Sequence, residues 1–458
     1  MIENRLEWIR DNPHLCVWPF ANYDYRINDE KLKITVCCNL DMKMIDNEVD
    51  TDFIETMKQD IMQKKLPAAC HLCSDVEKTG AQSERIKFFV EFNDYHSLKF
   101  SKEFTRDEFQ VGMKFSNKCN LACRSCNSYD SSLWADKMKR PMVEVKHTED
   151  ISENPLYWQS MTDMIRKKYN ETDKFSIHPI GGETMIQPGF LKLLNWMIDE
   201  NLAANTTILL TTSLAVNLEE WREIFLKFDK IVLLSSIDSV HENYYYVRWP
   251  AKFSRIQRNL DEIVKVEQLY PGKYKLFVTP VFSLNNIFYV TDFLDFWYNW
   301  AKETNISPYL QTTHINRPRP LMVESLRDEY RQQLITLLEK AVTHPLFGDQ
   351  SVPVAQEVAV QLEYFKSTLN LLKTQPLESA QLFSDYLKFT ADYDKRTGTD
   401  SRVLNSQLFD LLSEEDLAIY DEHFKVANPD NPVYNINYSY EKQWRITPPT
   451  NPTNTCQN

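Results

Sequence analysis

Glycine is the scarcest structural residue in this chain: 8 in 458, where average usage of about 7% would supply roughly 32. That scarcity excludes collagen-like and glycine-rich disordered architectures. It also leaves no G-x-G-x-x-G and no G-x-x-x-x-G-K-[ST], so the two commonest nucleotide cradles are missing. No run approaches 18 consecutive apolar residues, so no segment is expected to span a membrane. Met1 to Arg10 is charged and has no seven-residue apolar core, which argues against a signal peptide. Basic residues are in the minority, 52 against 65 acidic for a net charge of −13, which argues against a broad nucleic-acid-binding face. A local basic groove stays open.

Cysteine runs the other way. There are nine, and eight precede residue 127. Thiols at this density without a secretion signal point to metal binding in a reducing, cytoplasmic setting more than to disulfides.

The length exceeds what one core usually fills, so appended smaller units are expected. From residue 109 the chain alternates. Apolar runs at Phe109–Phe115, Lys174–Ile180, Thr206–Leu214, Lys230–Ile237, Tyr274–Phe282 and Pro308–Ile315 read as strands. Between and after them, Leu121–Met138, Phe190–Glu200, Leu218–Phe228, Phe253–Leu269, Ile287–Lys302 and Glu324–His344 read as helices. Such alternation predicts an α/β fold with a parallel sheet, because each return needs a crossover helix. Periodicity leaves two forms open, a doubly wound sheet or an incomplete barrel. Residues 1–108 do not alternate and hold five of the cysteines, which suggests a small metal-supported domain. After residue 345 helices are expected at Val354–Leu371, Glu378–Asp394 and Leu404–His423, and from Asn428 an asparagine- and proline-rich tail reads as flexible.

The most specific motif is Cys119-Asn120-Leu121-Ala122-Cys123-Arg124-Ser125-Cys126, just past the first strand of the alternating region. Three thiolates can ligate three irons of a cubane and leave the fourth open to a chelating molecule. A zinc site or three core cysteines are the plainer alternatives. The position is apt, because the loops at the C-terminal ends of strands form the reactive face of β/α folds.

This C-x-x-x-C-x-x-C resembles the signature of the radical S-adenosylmethionine (SAM) family. The resemblance implies a partial (β/α)6 TIM-like barrel over residues 109–320, with a helical extension at 321–427 and a tail at 428–458. It implies a [4Fe–4S] cluster on Cys119, Cys123 and Cys126, with SAM chelated to the open iron. Reductive cleavage of SAM would give a 5′-deoxyadenosyl radical that takes hydrogen from a substrate. A peptide or protein is the substrate class the resemblance implies first, with a nucleotide, sugar or small metabolite as the alternative. An electron donor such as flavodoxin or ferredoxin is implied as partner.

Further residues match the family pattern. Gly181-Gly182-Glu183-Thr184 resembles the GGE(P) turn that meets the SAM amino group, with threonine in place of proline. Ser236 and Asp238 resemble the polar positions that reach SAM after the fourth strand. Arg248 resembles the arginine that pairs with its carboxylate, a geometry a guanidinium fork suits. Asn285 follows the fifth strand where relatives offer polar groups. The residue before the third cysteine is Ser125, where the family is commonly bulky. Thr211 and Thr212 match the third-strand pattern weakly. His178, Tyr244, Tyr245, Gln311 and His314 are candidates for the reactive face, each more often structural than catalytic.

The N-terminal cysteines form a second set. Cys70-His71-Leu72-Cys73 is a C-x-x-C knuckle, and with Cys16 and Cys37 it supplies four ligands, enough for zinc or for a [4Fe–4S] cluster. Beside a radical SAM core, the strings C-V-W-P-F, I-T-V-C-C-N and P-A-A-C-H-L-C resemble the SPASM/twitch module. That resemblance implies an auxiliary [4Fe–4S] cluster on Cys16, Cys37, Cys70 and Cys73 in a domain spanning 1–108, with Cys38 the spare or the true ligand. A module preceding the barrel is similar to twitch-containing radical SAM proteins met in phage genomes. A zinc-stapled binding protein is the reading outside enzymology.

Overall fold

The computed structural model describes residues 5–16, 18–28, 31–37, 52–78, 83, 85–86, 108–139, 150–172, 174–315, 318–349, 351–353, 358–374 and 380–434. Cys38, Cys456 and the tail from residue 435 lie outside them.

One sheet organises these residues. Its core is five parallel strands, β3 (Glu108–Lys114), β4 (Lys174–Ile180), β5 (Thr206–Thr212), β6 (Lys230–Ser235) and β7 (Tyr274–Val278), with the short β9 (Tyr309–Leu310) at one edge. The N-terminal segment adds two more on the other side. β1 (Asn22–Asn28) runs parallel to β3, pairing Asn22 with Gln110, and β2 (Lys31–Thr35) folds back antiparallel on β1. The order is β2-β1-β3-β4-β5-β6-β7-β9. The six strands of the alternating region therefore make the open, partial barrel of an α/β fold. A separate pair, β8 (Val281–Phe282) with β10 (Thr313–His314), sits beyond β7.

The strands differ on their two faces, because side chains alternate. Val111 and Met113, Ile177, Ile208 and Leu210, Ile231 and Leu233, and Leu276 and Val278 are all essentially buried. They pack under α4 (Pro155–Glu171), α5 (Pro188–Asp199), α7 (Phe253–Leu269) and α8 (Val290–Thr304). On the other face Lys114, His178, Ile180, Thr211, Leu234, Ser236, Phe277 and Tyr309 are only half-buried. This second face is the less covered of the two, although Gln110, Ser176, Leu209 and Val232 on it are buried.

Helix starts follow local chemistry. Asn154 accepts from Leu156 N and Tyr157 N with Pro155 in the first turn of α4, a standard capped start. Ser413 caps α12 (Glu414–Val426), whose first turn holds Glu414, Glu415 and Asp416. α9 (Arg331–Val342), α10 (Val358–Thr374) and α11 (Ala380–Thr397) complete the helical region, with α12 packed along α11.

The largest departure from the expected elements falls at Leu121–Met138. Only α3 (Ser132–Lys137) is helical there, capped by Ser131. Upstream, Ala122 N donates to Trp249 O (2.8 Å) and Arg124 N to Val247 O (3.0 Å). Those N–H groups are spent on another segment and are not available for helix bonds. Leu121 and Ala122 are buried under residues 247–249, which gave a loop the apolar look of a helix.

Candidate functional site

The cysteine loop leaves β3 at its C-terminal end and runs through Cys119, Cys123 and Cys126 to α3. Cys119 N donates to Ser132 Oγ (3.1 Å), and Ser131 Oγ donates to Leu121 O (2.5 Å). Cys126 N closes a turn onto Cys123 O (3.0 Å). The thiols lie close together: after burial, Cys123 raises the pKa of both Cys119 and Cys126, and Cys119 adds to that of Cys126. Burial, then Cys123, pushes Cys119 up to about 12. Burial and Cys123 hold Cys126 well above the usual thiol range. Cys123 is raised by burial, against the Arg248 guanidinium, whose Nη1 lies 3.7 Å from its sulfur. Leu121 N–H also points at Cys119 Sγ (3.5 Å). Donors aimed at sulfur favour the thiolate that a metal requires.

Among the described residues no three His, Cys, Asp or Glu side chains converge closely enough to share one metal ion. A cubane does not demand it. Around one tetrahedral ion, bonds of about 2.3 Å hold the sulfurs roughly 4 Å apart, whereas in a cubane each thiolate takes its own iron. The donor set fits a cluster.

Gly181 and Gly182 follow β4 with φ of +92° and +49°. A Cβ on Gly182 would lie 2.1 Å from Lys118 O, and one on Gly181 2.8 Å from Ser116 O. Glu183 N donates to the same Lys118 carbonyl (3.0 Å). These glycines let the turn lie directly against the backbone that precedes Cys119.

The Glu183 side chain is 1% exposed. Thr212 Oγ1 donates to its Oε1 (2.7 Å), and Ser213 N and Oγ donate to its Oε2 (2.8 and 2.5 Å). Thr212, at the end of β5, thus acts as a positioning hydroxyl for a buried carboxylate. Among the described residues its donors are all neutral, which suits it to a cationic ligand group.

Asp238 and Arg248 form a buried pair beside Cys123. Arg248 Nε meets Asp238 Oδ2 at 2.8 Å, and Val281 N donates to Asp238 Oδ1 (2.9 Å). Asn286 Nδ2 braces Asp238 O (2.7 Å). Next to it, Asn285 is 2% exposed, and among the described residues neither atom of its amide has a hydrogen-bond partner. The hydroxyls of Ser235 and Ser239 share that condition. Buried polar atoms left unpaired are costly, so this end of β6 and β8 holds polar groups that a bound polar molecule could pair. Ser236 is half-buried on the ligand-facing side. Tyr244 instead points inward and donates to Ser213 O (3.2 Å). His178 Nε2 lies 3.0 Å from Thr211 Oγ1 on the half-buried face.

Sequence reasoning passed over Arg124, the one charged residue inside the cysteine motif. It is fully buried, its guanidinium 3.6 Å from the Tyr246 ring centre and 4.2 Å from that of Tyr393. It donates to Tyr246 O (2.9 Å), to Thr399 Oγ1 (3.0 Å) and to Asp394, with which it forms an ion pair. Tyr393 Oη donates to Ala122 O. Asp394, on α11, also accepts from Ser401 N (2.8 Å), Ser401 Oγ (2.6 Å) and Tyr420 Oη (2.7 Å). A charge inside an apolar stretch was the available signal for Arg124; nothing local marks Asp394.

The N-terminal thiols also come together. Cys16 is buried and its pKa is raised by burial, then by Cys70, with Cys73 adding to it. Cys70 is pushed up to about 12 by burial, then by Cys37 and Cys73. Cys70 and Cys73 flank the start of α2 (His71–Lys78). Arg85 organises the group: it donates to Ile9 O, Asn12 O and Leu15 O (3.2, 3.1 and 2.8 Å) and pairs with Glu77 on α2 (2.5 Å). It ties the turn before Cys16 to the helix carrying Cys73, and its charge opposes the rise of Cys16 and Cys70.

No protein-family model matches the sequence, and no curated protein matches it. Solved structures overlap it loosely. Native anSMEcpe with bound AdoMet is 17% identical over 59% of this chain and 68% of that one, with a TM-score of 0.37. Streptococcus suis SuiB bound to S-adenosylmethionine is 14% identical over 72% of this chain and 70% of its own, with a TM-score of 0.35. Overlaps this loose fix no residue's role, and the site rests on its own chemistry.

Two substitutions test how the loop is held. Asp394→Asn leaves a buried guanidinium without its counter-charge and should destabilise the metal-free protein by about 3–5 kcal/mol in urea unfolding; a change below about 1 kcal/mol, the range of a surface pair, contradicts the anchor. Gly182→Ala should destabilise clearly more than Gly272→Ala, which also has positive φ (+81°) but nothing within 4 Å of an added Cβ. Equal effects would mean that only backbone strain matters and that the contact with Lys118 does not.

Proposed function

We propose that this chain is a radical SAM enzyme. The observation that carries the reading is the grouping of Cys119, Cys123 and Cys126 in one buried loop at the C-terminal end of β3, against the Gly181–Glu183 turn and the Asp238–Arg248 pair. Those three cysteines would hold a [4Fe–4S] cluster. With SAM bound and an electron supplied by a carrier such as flavodoxin or ferredoxin, that centre supplies a radical able to take hydrogen from an unactivated C–H bond.

The chain's own residues prepare the site for it. Glu183, buried and fixed by Thr212 and Ser213, offers a negative charge for the amino group of SAM. Arg248, oriented by Asp238, presents a cation beside Cys123 for its carboxylate. The unpaired amide of Asn285 and the half-buried Ser236 supply polar contacts for the remainder. Helices cover the far side of the sheet, and the half-buried face bearing His178, Thr211, Phe277 and Tyr309 is the one that would meet substrate. A peptide or protein is the substrate class proposed.

Residues 1–108 are proposed as a twitch-like unit. Its four thiols, Cys16, Cys37, Cys70 and Cys73, with Arg85 moderating their charge, suit an auxiliary [4Fe–4S] cluster. Residues 321–427 would be the helical extension that anchors the catalytic loop through Asp394.

Anaerobic reconstitution tests the reading. About eight irons per chain are expected for two four-iron clusters, and SAM with dithionite should yield 5′-deoxyadenosine by mass spectrometry. Cys123→Ala should reduce that product to background and bring iron down to about four. Cys73→Ala should keep 5′-deoxyadenosine while losing any mass-shifted peptide product. Zinc in place of iron, or 5′-deoxyadenosine from Cys123→Ala, overturns the assignment.

A further inference from the structure

A chain of polar side chains crosses the less covered face of the sheet. It starts at Asn22 on β1, which stands opposite Gln110 on β3 in register. Asn22 Nδ2 donates to the carbonyl of Val36, the residue before Cys37 (2.9 Å), and Gln110 Nε2 donates to Asn22 Oδ1 (2.9 Å). Gln110 Nε2 also faces His178 Nδ1 on β4 (3.4 Å), and His178 Nε2 lies 3.0 Å from Thr211 Oγ1 on β5. Gly112, two residues beyond Gln110, is the register partner of His178, so the chain climbs toward the strands' C-terminal ends as it crosses.

The direction of these bonds is fixed at the first link. A backbone carbonyl can only accept, so Val36 O selects the amide nitrogen of Asn22 and turns the amide oxygen to Gln110. Gln110 must then present its NH2 group, whose second hydrogen faces His178. A ring nitrogen that accepts carries no proton, so His178 is neutral with its proton on Nε2. That N–H donates to Thr211 Oγ1. The Thr211 hydroxyl keeps its own hydrogen to give, and among the described residues Oγ1 has no partner besides His178. Asn22 and Gln110 are buried while His178 and Thr211 are half-buried, so the chain runs from the core to an accessible donor.

The neighbouring strands present a different surface. Thr211 pairs in register with Leu234, Leu234 with Phe277 and Phe277 with Tyr309. The last two rings stack at 4.7 Å, with Lys275 Nζ 3.9 Å from the Tyr309 ring centre. A single hydrogen-bond donor therefore stands beside an apolar and aromatic strip. A peptide matches that combination, because its backbone carries acceptors and its side chains can be apolar.

We propose that the Thr211 hydroxyl, set by His178, is the subsite that holds one backbone carbonyl of a peptide substrate. The inference rests on the radical SAM peptide reading above. Thr211 touches the substrate, and His178 is a positioning residue that acts through it. Because His178 already donates to the hydroxyl oxygen, the hydroxyl is the better donor in turn, as chained hydrogen bonds polarise one another. One carbonyl held near the end of β5 limits which C–H bonds of the peptide can meet a radical formed at the cysteine loop. Asn22, in the N-terminal segment, thereby sets the polarity of a group inside the partial barrel.

The test uses the full-length reconstituted protein carrying isotope-labelled histidine, with the His178 signals assigned by their loss in His178→Gln. Nitrogen NMR should report a neutral imidazole with its proton on Nε2. A proton on Nδ1, or an imidazolium at neutral pH, overturns the proposal. N-methylacetamide, a single peptide bond, is then titrated in, with acetate in a parallel arm. It should shift the His178 signals of wild type and of Thr211→Ser, and Thr211→Val should need about threefold or more of it for the same shift. No shift in wild type, an equal response in Thr211→Val, or a response to acetate alone overturns the carbonyl subsite. 5′-Deoxyadenosine formed from SAM and dithionite is measured on the same wild-type preparation. If none forms, the radical SAM reading fails instead, and the histidine signals still decide the subsite.

Discussion

Arg124 lies between the second and third cysteines of the motif, and its counter-charge, Asp394, lies 270 residues further along the chain. The three thiols occupy a stretch with no secondary structure of its own, so their positions depend on what grips the loop from outside. Two phenol rings bracket the guanidinium, Tyr393 reaches the Ala122 carbonyl, and residues 247–249 take the loop's spare N–H groups. A buried ion pair of this kind contributes little net stability against a hydrophobic substitute. Its value is the set of donors that Asp394 gathers from Arg124, Thr399, Ser401 and Tyr420, which ties the loop to α11 and to the segments after it. The C-terminal helices are therefore part of the site, although they bring no ligand to it.

The opposite flank of the loop is set by shape. Gly181 and Gly182 bring the turn after β4 against Ser116 and Lys118, with no room for a Cβ at either position. That contact delivers Glu183 to Thr212 and Ser213. Glycine is scarce in this chain, and two of the eight stand here. The GGE turn therefore supports the thiol loop directly, in addition to presenting a carboxylate. Charge then completes the pocket. Among the described residues, Arg248 sits between Asp238 and Cys123, Glu183 has only neutral donors, and the Asn285 amide is unpaired. These opposite, separately held charges match a zwitterionic amino acid group better than they match a bare metal ion.

Much of this was legible in the sequence. β4 and α7 fall at the residues assigned from the sequence, Lys174–Ile180 and Phe253–Leu269, because a short apolar-rich run and a 3.6-residue pattern are local signals. The motif cysteines, the GGE turn and Asp238 are close in sequence to strand ends, where an α/β fold gathers its loops, and Arg248 closes the short helix His241–Val247 that follows β6. Two things were hidden. Leu121–Met138 looked helical because its apolar residues are buried by a distant segment, and burial carries no direction in sequence. Asp394 could not be found, since its role comes from packing between elements far apart in the chain. Cys37 lies close enough to Cys70 to raise its pKa, and Cys38 lies outside the described residues.

The central claim is that the loop bearing Cys119, Cys123 and Cys126 carries a cluster with one iron open to SAM. Electron paramagnetic resonance of the anaerobically reconstituted, dithionite-reduced protein tests it most directly. Adding SAM should change the signal of one cluster and leave a second signal untouched, and Cys123→Ala should retain only the second. A spectrum that SAM does not alter, or a SAM-sensitive signal that survives in Cys123→Ala, contradicts the account.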